Sequence, residues 1–313
     1  MLAPVFATRA RGKLLLTGEY FVLDGAQALA LPVQYGQTLR VFPFEEKGKL
    51  TWISRKPDGN PWFEAVFSLP DLDVLQHSEE KTAETLSGIL RALKAQKPDF
   101  LSGDPGFYVE TNNDFPREWG LGTSSTLIAA LARWAEADPY RVLFDTFGGS
   151  GYDIACAYAD GPILYRLDGA VPQVQSVVFE PAFAPHLGFV YLGNKQNSRE
   201  GIARYRALGE SVSQHIAAVS LLTRQMLQAT DLRAFMEVMR THEQLVAQTL
   251  LLPRAMDLYF PDFPGEVKSL GAWGGDFVLV AGEAPFESMK PYFYQKGFDT
   301  CITWQAMLQD RLF

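Results

Sequence analysis

The order of strand-like and helix-like segments constrains the fold of this chain more than any other feature of its sequence. Short runs rich in β-forming residues, at 5–10, 13–16 and 107–111, are mixed irregularly with amphipathic segments of helical period. A doubly wound parallel sheet would require a regular alternation of strand, helix and strand. The pattern therefore predicts an α+β fold.

Four amphipathic segments are predicted to be helices, and they cover 78–96, 124–137, 199–229 and 231–251. Ser78 is the expected N-cap of the first helix. The other strand-like runs are short and apolar, and they cover 162–167, 174–179, 188–192, 276–281 and 300–304. A Pro-containing break at 180–185 separates the two halves of the chain. We therefore predict two domains, 1–181 and 182–313.

Composition excludes several classes of protein. The 28 Lys and Arg against 36 Asp and Glu give a net charge of -8, and no run of five or six basic residues offers a nucleic-acid site. No stretch of 18 apolar residues and no signal peptide is found, so no membrane partner is expected. The two cysteines, Cys156 and Cys301, form neither a zinc pattern nor a disulfide scaffold. These features predict a cytoplasmic protein, and a monomer or a homodimer is the expected oligomeric state.

The most informative segment is 116–126, Pro-Arg-Glu-Trp-Gly-Leu-Gly-Thr-Ser-Ser-Thr. Gly120 and Gly122 allow the backbone to turn tightly and approach a ligand. Hydroxyl side chains follow, and a predicted helix then begins. The first N–H groups of a helix favour a phosphate, and hydroxyls there can reach a phosphate-bound Mg²⁺. The pattern indicates a phosphate site, with a plain glycine turn and N-cap as the alternative.

Three further segments carry weaker signals. Lys13 opens an apolar strand, with Glu19 six positions later, which is also typical of a charge at a strand edge. The glycine-rich turn 148–151 precedes Asp153, which is either a helix N-terminal residue or a positioned base. The glycine-rich stretch 268–276 leads into a strand, and a hairpin or bulge would explain it equally well.

In this order, the four segments resemble the motifs of the GHMP kinase superfamily over residues 12–281. Its phosphate-loop pattern P-x-x-x-G-L-G-S-S is similar to residues 116–124, with Thr123 in the first serine place. The resemblance implies an N-terminal ribosomal-protein-like α/β domain that carries the ATP loop, and a C-terminal ferredoxin-like α+β domain. It also implies an ATP-dependent kinase for a small anionic substrate, with ATP and Mg²⁺ as cofactors.

The resemblance also implies roles for individual residues. Asp153 would accept or orient the proton of the attacking group, and Lys13 would stabilise the transferring phosphoryl group. The residues implied in ATP binding are Gly120, Leu121, Gly122, Thr123, Ser124 and Ser125, and Ser124 is also the implied Mg²⁺ ligand. The residues implied in substrate binding are Glu19, Tyr20, Lys195, Gly271, Gly274 and Gly275.

Finer matches at Gly18-Glu19-Tyr20 and in the segments 150–155 and 274–276 resemble the phosphomevalonate kinases of this superfamily. The alternatives are a mevalonate kinase and a catalytically silent relative that only binds a nucleotide or metabolite. Two departures favour the silent relative. Trp273 stands at a place where the family has glycine, and its indole could narrow the pocket or close over substrate. The stretch before Asp153 is short, with Asp145 as the only nearby candidate for the family's acidic metal ligand.

Overall fold

The computed structural model describes residues 3–102, 105–193, 198–271, 273 and 276–309. The strands are β1 (Phe6–Leu15), β2 (Ala28–Phe44), β3 (Lys49–Arg55), β4 (Pro61–Ser68), β5 (Val74–His77), β6 (Gly106–Asn113), β7 (Ile163–Asp168), β8 (Val171–Ser176), β9 (Leu187–Tyr191), β10 (Gly265–Ser269), β11 (Phe277–Gly282) and β12 (Cys301–Thr303). The α-helices are α1 (Glu80–Gln96), α2 (Thr123–Ala135), α3 (Pro139–Thr146), α4 (Tyr152–Tyr158), α5 (Ser198–Ala207), α6 (Ser213–Gln228), α7 (Leu232–Leu250), α8 (Ala255–Tyr259), α9 (Phe286–Gln295) and α10 (Trp304–Leu308).

The chain packs into two compact units that interleave along the sequence. Unit 1 comprises the described parts of 1–12, 35–117 and 122–158. Unit 2 comprises the described parts of 13–34, 118–121 and 159–313. These spatial units are a different kind of division from the linear one into 1–181 and 182–313, which stays a prediction.

Unit 1 is a sheet covered by helices. Its strands follow the order β5-β4-β3-β6-β2, with β3 parallel to β6, and β6 antiparallel to β2. The apolar faces of α1 to α4 share one core with the sheet, in which Trp52, Leu90, Val109 and Leu131 are all buried. This shared burial is the main force that holds the first residues of α2 in place, because a short helix is marginally stable by itself in water.

Unit 2 contains the start of β2, which pairs antiparallel with β7, and β7 pairs antiparallel with β8. A separate antiparallel sheet has the order β10-β11-β9-β12. Helix α6 packs against α7, and α7 packs against β10. Among the described residues of the whole chain, no helix has the length and apolar character needed to span a bilayer.

The α+β prediction is confirmed, but two local predictions are wrong. The expected helix 199–229 is divided into α5 and α6, because Gly209 adopts φ 62°, which no α-helix accommodates. Ser78 is not the cap of α1, whose N-cap position is held by Glu79. The Ser78 hydroxyl instead accepts a hydrogen bond from the Glu64 N–H at 3.0 Å, which ties the start of α1 to β4.

Candidate functional site

The first part of the predicted phosphate loop lies in unit 2, next to Lys13 at the end of β1. The Lys13 ammonium donates to the Gly120 carbonyl oxygen at 2.8 Å, and the Lys13 N–H donates to the Leu121 carbonyl oxygen at 2.9 Å. Gly120 has φ 66°, and a Cβ atom there would overlap the Asp276 carboxylate. Glycine is therefore required at position 120 by both backbone and space. The fold thus brings Lys13 into contact with Gly120 and Leu121, which are far from Lys13 in the sequence.

The second part of the loop, in unit 1, opens helix α2. Gly122 occupies the N-cap position with φ 97°. The Ser125 hydroxyl donates to the Gly122 carbonyl oxygen at 2.9 Å, and both Ser125 and Thr126 are buried. Thr123 is half-buried and Ser124 is exposed. The exposed Ser124 hydroxyl therefore stands at the partially positive N-terminus of a 13-residue helix, where an anion is stabilised.

We expect Ser124→Ala to raise the KM for MgATP about tenfold, because the variant loses a hydroxyl at the anion-favouring helix start. Its free energy of unfolding should change by less than about 0.5 kcal/mol, since the side chain is exposed. Steady-state kinetics and urea unfolding measure the two effects.

Thr126→Val is the matched control. The Thr126 hydroxyl oxygen lies 3.0 Å from both the Gly122 carbonyl oxygen and Gln37 Oε1, and its one proton is shared between these two acceptors. Its removal should lower the free energy of unfolding by about 1–2 kcal/mol and leave the KM for MgATP unchanged. An unchanged KM in Ser124→Ala would contradict the assignment of Ser124.

Asp153 is the second residue of α4, in unit 1, and follows a turn in which Gly148, Gly149 and Gly151 all have positive φ. Asp153 Oδ1 accepts a hydrogen bond from the Ile154 N–H at 3.0 Å. Burial, and next the Asp153 charge, raise the pKa of Tyr140 in the same unit. Lys13 belongs to unit 2, so its pairing with Asp153 stays a prediction.

Two residues were considered as ligands of the predicted Mg²⁺ site, the hydroxyl of Ser124 and the carboxylate of Asp145. Asp145 lies on α3 with an exposed side chain, 3.9 Å from Arg141. Within the described ranges, no group of three or more His, Cys, Asp or Glu side chains could hold a metal ion. The exposed hydroxyl of Ser124 fits a single ligand to a cation that arrives already bound by phosphate oxygens.

The Gly18–Tyr20 turn is anchored inside unit 2. The Gly18 N–H donates to His242 Nε2 at 3.1 Å, and Glu19 is paired with Lys268 with both side chains fully buried. Burial, and then the Lys268 charge, lower the pKa of His242 well below its usual value, so His242 is neutral and accepts this bond. His242 is therefore a hydrogen-bonded residue of the core. Whether Glu19 and Tyr20 also contact a substrate stays a prediction.

Trp273 is buried in an apolar cluster that also contains Tyr20, Tyr205 and Leu250. Its indole N–H donates to the Pro253 carbonyl oxygen, and its backbone N–H donates to the Tyr20 hydroxyl oxygen, both at 3.0 Å. The Tyr20 ring stacks on Tyr205 with a centroid distance of 5.9 Å. The indole thus fixes the glycine-rich segment to the core of unit 2.

Four other residues complete the predicted substrate site. Gly271 is described and has φ 64°, which favours glycine. Gly274, Gly275 and Lys195 lie outside the described residues.

We expect Trp273→Ala to lower the free energy of unfolding by about 3–5 kcal/mol, the usual cost of removing a buried aromatic side chain. Trp273→Phe keeps much of the apolar volume but loses the bond to Pro253, so it should cost about 1–2 kcal/mol. Urea unfolding of the two variants measures the difference. Equal and small losses would show that the indole is not part of the core.

Not predicted from the sequence were Lys268, the buried partner of Glu19, and the buried hydrogen-bonded pair of Glu243 and Ser269 beside it. Lys268 was considered only as the start of a glycine-rich loop, since lysine is almost never fully buried. The available signal was its position between Val267 and Leu270, in a stretch whose flanking residues are apolar. Such a lysine requires a buried carboxylate partner.

No protein-family model and no curated protein matches this sequence. The folded chain nevertheless resembles solved structures along nearly its whole length. Mevalonate kinase from Methanococcus jannaschii superposes with a TM-score of 0.70 at 14% identity, covering 95% of this chain and 98% of that one. Phosphomevalonate kinase from Streptococcus pneumoniae, in complex with phosphomevalonate and AMPPNP, gives 0.69 at 15% identity, covering 96% and 100%.

Galactokinase from Lactococcus lactis, complexed with galactose, gives a TM-score of 0.68 at 12% identity and covers 97% of this chain and 93% of that one. All three are members of the GHMP kinase superfamily. At such low identities the likeness concerns the backbone, and it agrees with the motif resemblance in the sequence. The chain therefore has the two-domain fold of the GHMP kinases.

Proposed function

We propose that this protein transfers a phosphoryl group from ATP to a small anionic metabolite. The observation that carries the proposal is the Lys13 ammonium, held 2.8 Å from the Gly120 carbonyl oxygen in the glycine-rich loop that leads into α2. A cation beside a loop that opens a helix provides the charge and the N–H groups that a triphosphate needs. The GHMP kinase fold supports the same activity.

Phosphoryl transfer depends on positioning and charge neutralisation more than on covalent chemistry. In this proposal, the N–H groups and hydroxyls at 122–125 bind the triphosphate. Mg²⁺, when bound with ATP, neutralises charge on the phosphate oxygens, and Ser124 is the residue that would hold it. Asp153 orients the acceptor or takes its proton, and Lys13 stabilises charge on the transferring group.

Phosphomevalonate is the favoured acceptor, which would place the protein in the mevalonate route to isoprenoids, in the cytoplasm. The Gly18-Glu19-Tyr20 sequence supports this choice, and so does the likeness to a phosphomevalonate kinase. Arg204, exposed on α5, acts electrostatically on the Tyr20 hydroxyl and is a candidate to meet an anionic acceptor. Mevalonate remains the same-class alternative, and pocket charge distinguishes the two acceptors.

A catalytically silent relative that only binds a nucleotide or metabolite is the second candidate. The specific observation in its favour concerns the acidic metal ligand: Asp145 is exposed and lies beside Arg141. The presence of both Lys13 and Asp153 argues against it.

The test is ADP release from MgATP in the presence of mevalonate, 5-phosphomevalonate, homoserine or galactose, together with calorimetric titration of ATP. Turnover with 5-phosphomevalonate alone supports the proposal in full. Turnover only with mevalonate supports the alternative function, a mevalonate kinase. ATP binding without turnover on any acceptor supports the silent relative.

A further inference from the structure

A second cluster of charged groups lies inside unit 2, and the proposed chemistry does not use it. Glu19, His242 and Lys268 are 0% exposed, and Glu243 is 1% exposed. We call these four residues the buried ionic cluster. Charged side chains are rarely buried this completely, because leaving water costs several kcal/mol per ion unless partners compensate.

One side of the buried ionic cluster holds the Gly18–Tyr20 turn. The Lys268 ammonium donates to Glu19 Oε1 and, at 2.9 Å, to the Ser269 carbonyl oxygen. Glu19 Oε2 lies 3.5 Å from His242 Nε2, the atom that accepts the Gly18 N–H. The backbone just before Tyr20 is therefore fixed to α7 and β10.

The other side of the buried ionic cluster holds the end of β10. Glu243 Oε2 accepts the Ser269 N–H at 3.0 Å, and Glu243 Oε1 accepts the Ser269 hydroxyl at 2.9 Å. Ser269 is the last residue of β10, and Trp273 follows four positions later. Since the Trp273 N–H donates to the Tyr20 hydroxyl oxygen, the two anchored segments also meet each other.

The charges in this cluster do not balance when both carboxylates are ionised. Lys268 supplies one cation and His242 is neutral, while Glu19 and Glu243 each carry a carboxyl group. Arg254, the N-cap residue of α8, pairs with Asp257, and the Glu243 charge also acts on it. Burial raises the pKa of Glu243 to about 7, against the opposing effects of Lys268 and of the bonds from Ser269. Burial also raises the pKa of Glu19, against the opposing charge and hydrogen bond of Lys268, so both carboxyl groups of the cluster bind a proton more tightly than they would in water.

We propose that Glu243 is a positioning residue, whose proton controls how firmly Ser269 and Trp273 are held against the Gly18–Tyr20 turn. When Glu243 is protonated, the cluster is neutral, and the carboxyl group still accepts the Ser269 N–H. When Glu243 is ionised, a net negative charge is buried between α7 and β10. The ionised carboxylate accepts the two Ser269 bonds more strongly, but the free energy lost by burying its charge is larger, so opening of the segment after Ser269 to water becomes easier. As an extension that rests on the proposed function, the same proton controls the affinity for the acceptor.

The direction of the pH effect follows from linkage. Folding raises the pKa of Glu243 from 4.5 to about 7, so the folded state binds the proton more tightly than the unfolded state. The resulting stabilisation is complete below pH 4.5 and is lost as the pH rises through 7. The Trp273 environment should therefore change with a midpoint near pH 7.

The test labels the full-length protein with 5-fluorotryptophan and follows the ¹⁹F resonance of Trp273, assigned by its disappearance in Trp273→Phe. In the wild type this resonance should titrate with a midpoint near pH 7. Glu243→Gln should abolish the titration, because the amide keeps the shape of the side chain but has no proton to lose. Ser269→Ala should move the midpoint upward, because the lost hydroxyl donor stabilised the ionised carboxylate. Ser269→Ala also provides the test if Glu243→Gln does not fold.

Two variants serve as controls. Glu266→Gln removes another buried carboxylate of β10, paired with Arg240, and should leave the midpoint unchanged. His215→Gln removes an imidazole that contacts Phe21 in the same unit, and it should also leave the midpoint unchanged. A flat wild-type titration, a titration that persists in Glu243→Gln, or a midpoint that moves in His215→Gln would each overturn the proposal.

A kinetic measurement tests the extension to the acceptor. Between pH 6.5 and 8, the wild-type KM for the acceptor should rise about fivefold while kcat changes less than about twofold, because only the neutral cluster holds the segment firmly. Glu243→Gln should remove this rise. An acceptor KM that does not change with pH, beside a normal Trp273 titration, would overturn the extension. The ¹⁹F titration needs no turnover, so an inactive protein would refute the proposed function without deciding the role of Glu243.

Discussion

Asp153→Asn should lower kcat by about a hundred- to ten-thousandfold, the range expected when a residue that positions or accepts a proton is removed. Asparagine has the size of aspartate but no negative charge and little basicity. The Ile154 N–H that Asp153 accepts at 3.0 Å can still donate to the amide oxygen of asparagine, so the start of α4 should be retained. The Kd for MgATP should therefore change less than about threefold, since lost activity with retained binding is the signature of a step after binding.

Asp73→Asn is the matched control for this variant. Asp73 lies in the same unit with its side chain 67% exposed and 2.6 Å from Arg91. Exposed pairs of this kind contribute little, so kcat and stability should both stay near the wild-type values. Full activity in Asp153→Asn would show that another group acts on the acceptor. Equal losses in both variants would indicate a general effect of charge rather than a specific role.

The helices show where sequence analysis succeeds. Helix α2 spans Thr123–Ala135 against the predicted 124–137, and α7 spans Leu232–Leu250 against the predicted 231–251. Their limits are set by local information, namely an apolar face of period 3.6 and end residues such as Asp231, which caps α7 by accepting the Ala234 N–H at 2.9 Å. Local patterns of this kind need no knowledge of the tertiary structure.

The 17-residue strand β2 shows where sequence analysis fails. Pro32 and Gly36 interrupt its pattern and conceal its length. Gly36 is explained only by the fold, since a Cβ atom there would overlap the Ala10 carbonyl oxygen of β1. A glycine that is required because another strand lies close to it leaves no periodic signal in the sequence.

In the candidate site too, the local features could be predicted from the sequence and the long-range contacts could not. The loop 116–126 was found because its glycines and hydroxyls have a local purpose at the start of a helix. The partners of Glu19 could not be found, because Lys268 is 249 positions away and was considered as part of a loop. The family resemblance implied only that Lys13 acts on the transferring phosphoryl group, and its contact with Gly120, which spans 107 positions, was not predicted. Long-range pairing of charges becomes visible only when the chain is folded.

Lys13→Met should lower kcat by about a hundred- to a thousandfold, because it removes a fixed cation where negative charge develops during transfer. Methionine nearly matches the length and apolar stem of lysine, so packing around β1 should be kept. The variant also loses the bond to the Gly120 carbonyl, which is 2.8 Å from the ammonium in the wild type. That loss should lower the free energy of unfolding by about 1–2 kcal/mol. Single-turnover kinetics and urea unfolding measure the two effects separately.

The comparison of these two effects decides what Lys13 does. Lys49→Met is the control, because Lys49 pairs with Glu46 at 2.9 Å on the surface, and both kcat and stability should be nearly unchanged. If Lys13→Met lost only stability, Lys13 would be a structural anchor of the glycine loop, and a second cation would have to stabilise the phosphoryl group. A large loss of kcat with a stability loss of only about 1–2 kcal/mol is expected only if the ammonium acts on the transferring group itself, since the loss of one hydrogen bond explains the change in stability but not the change in kcat.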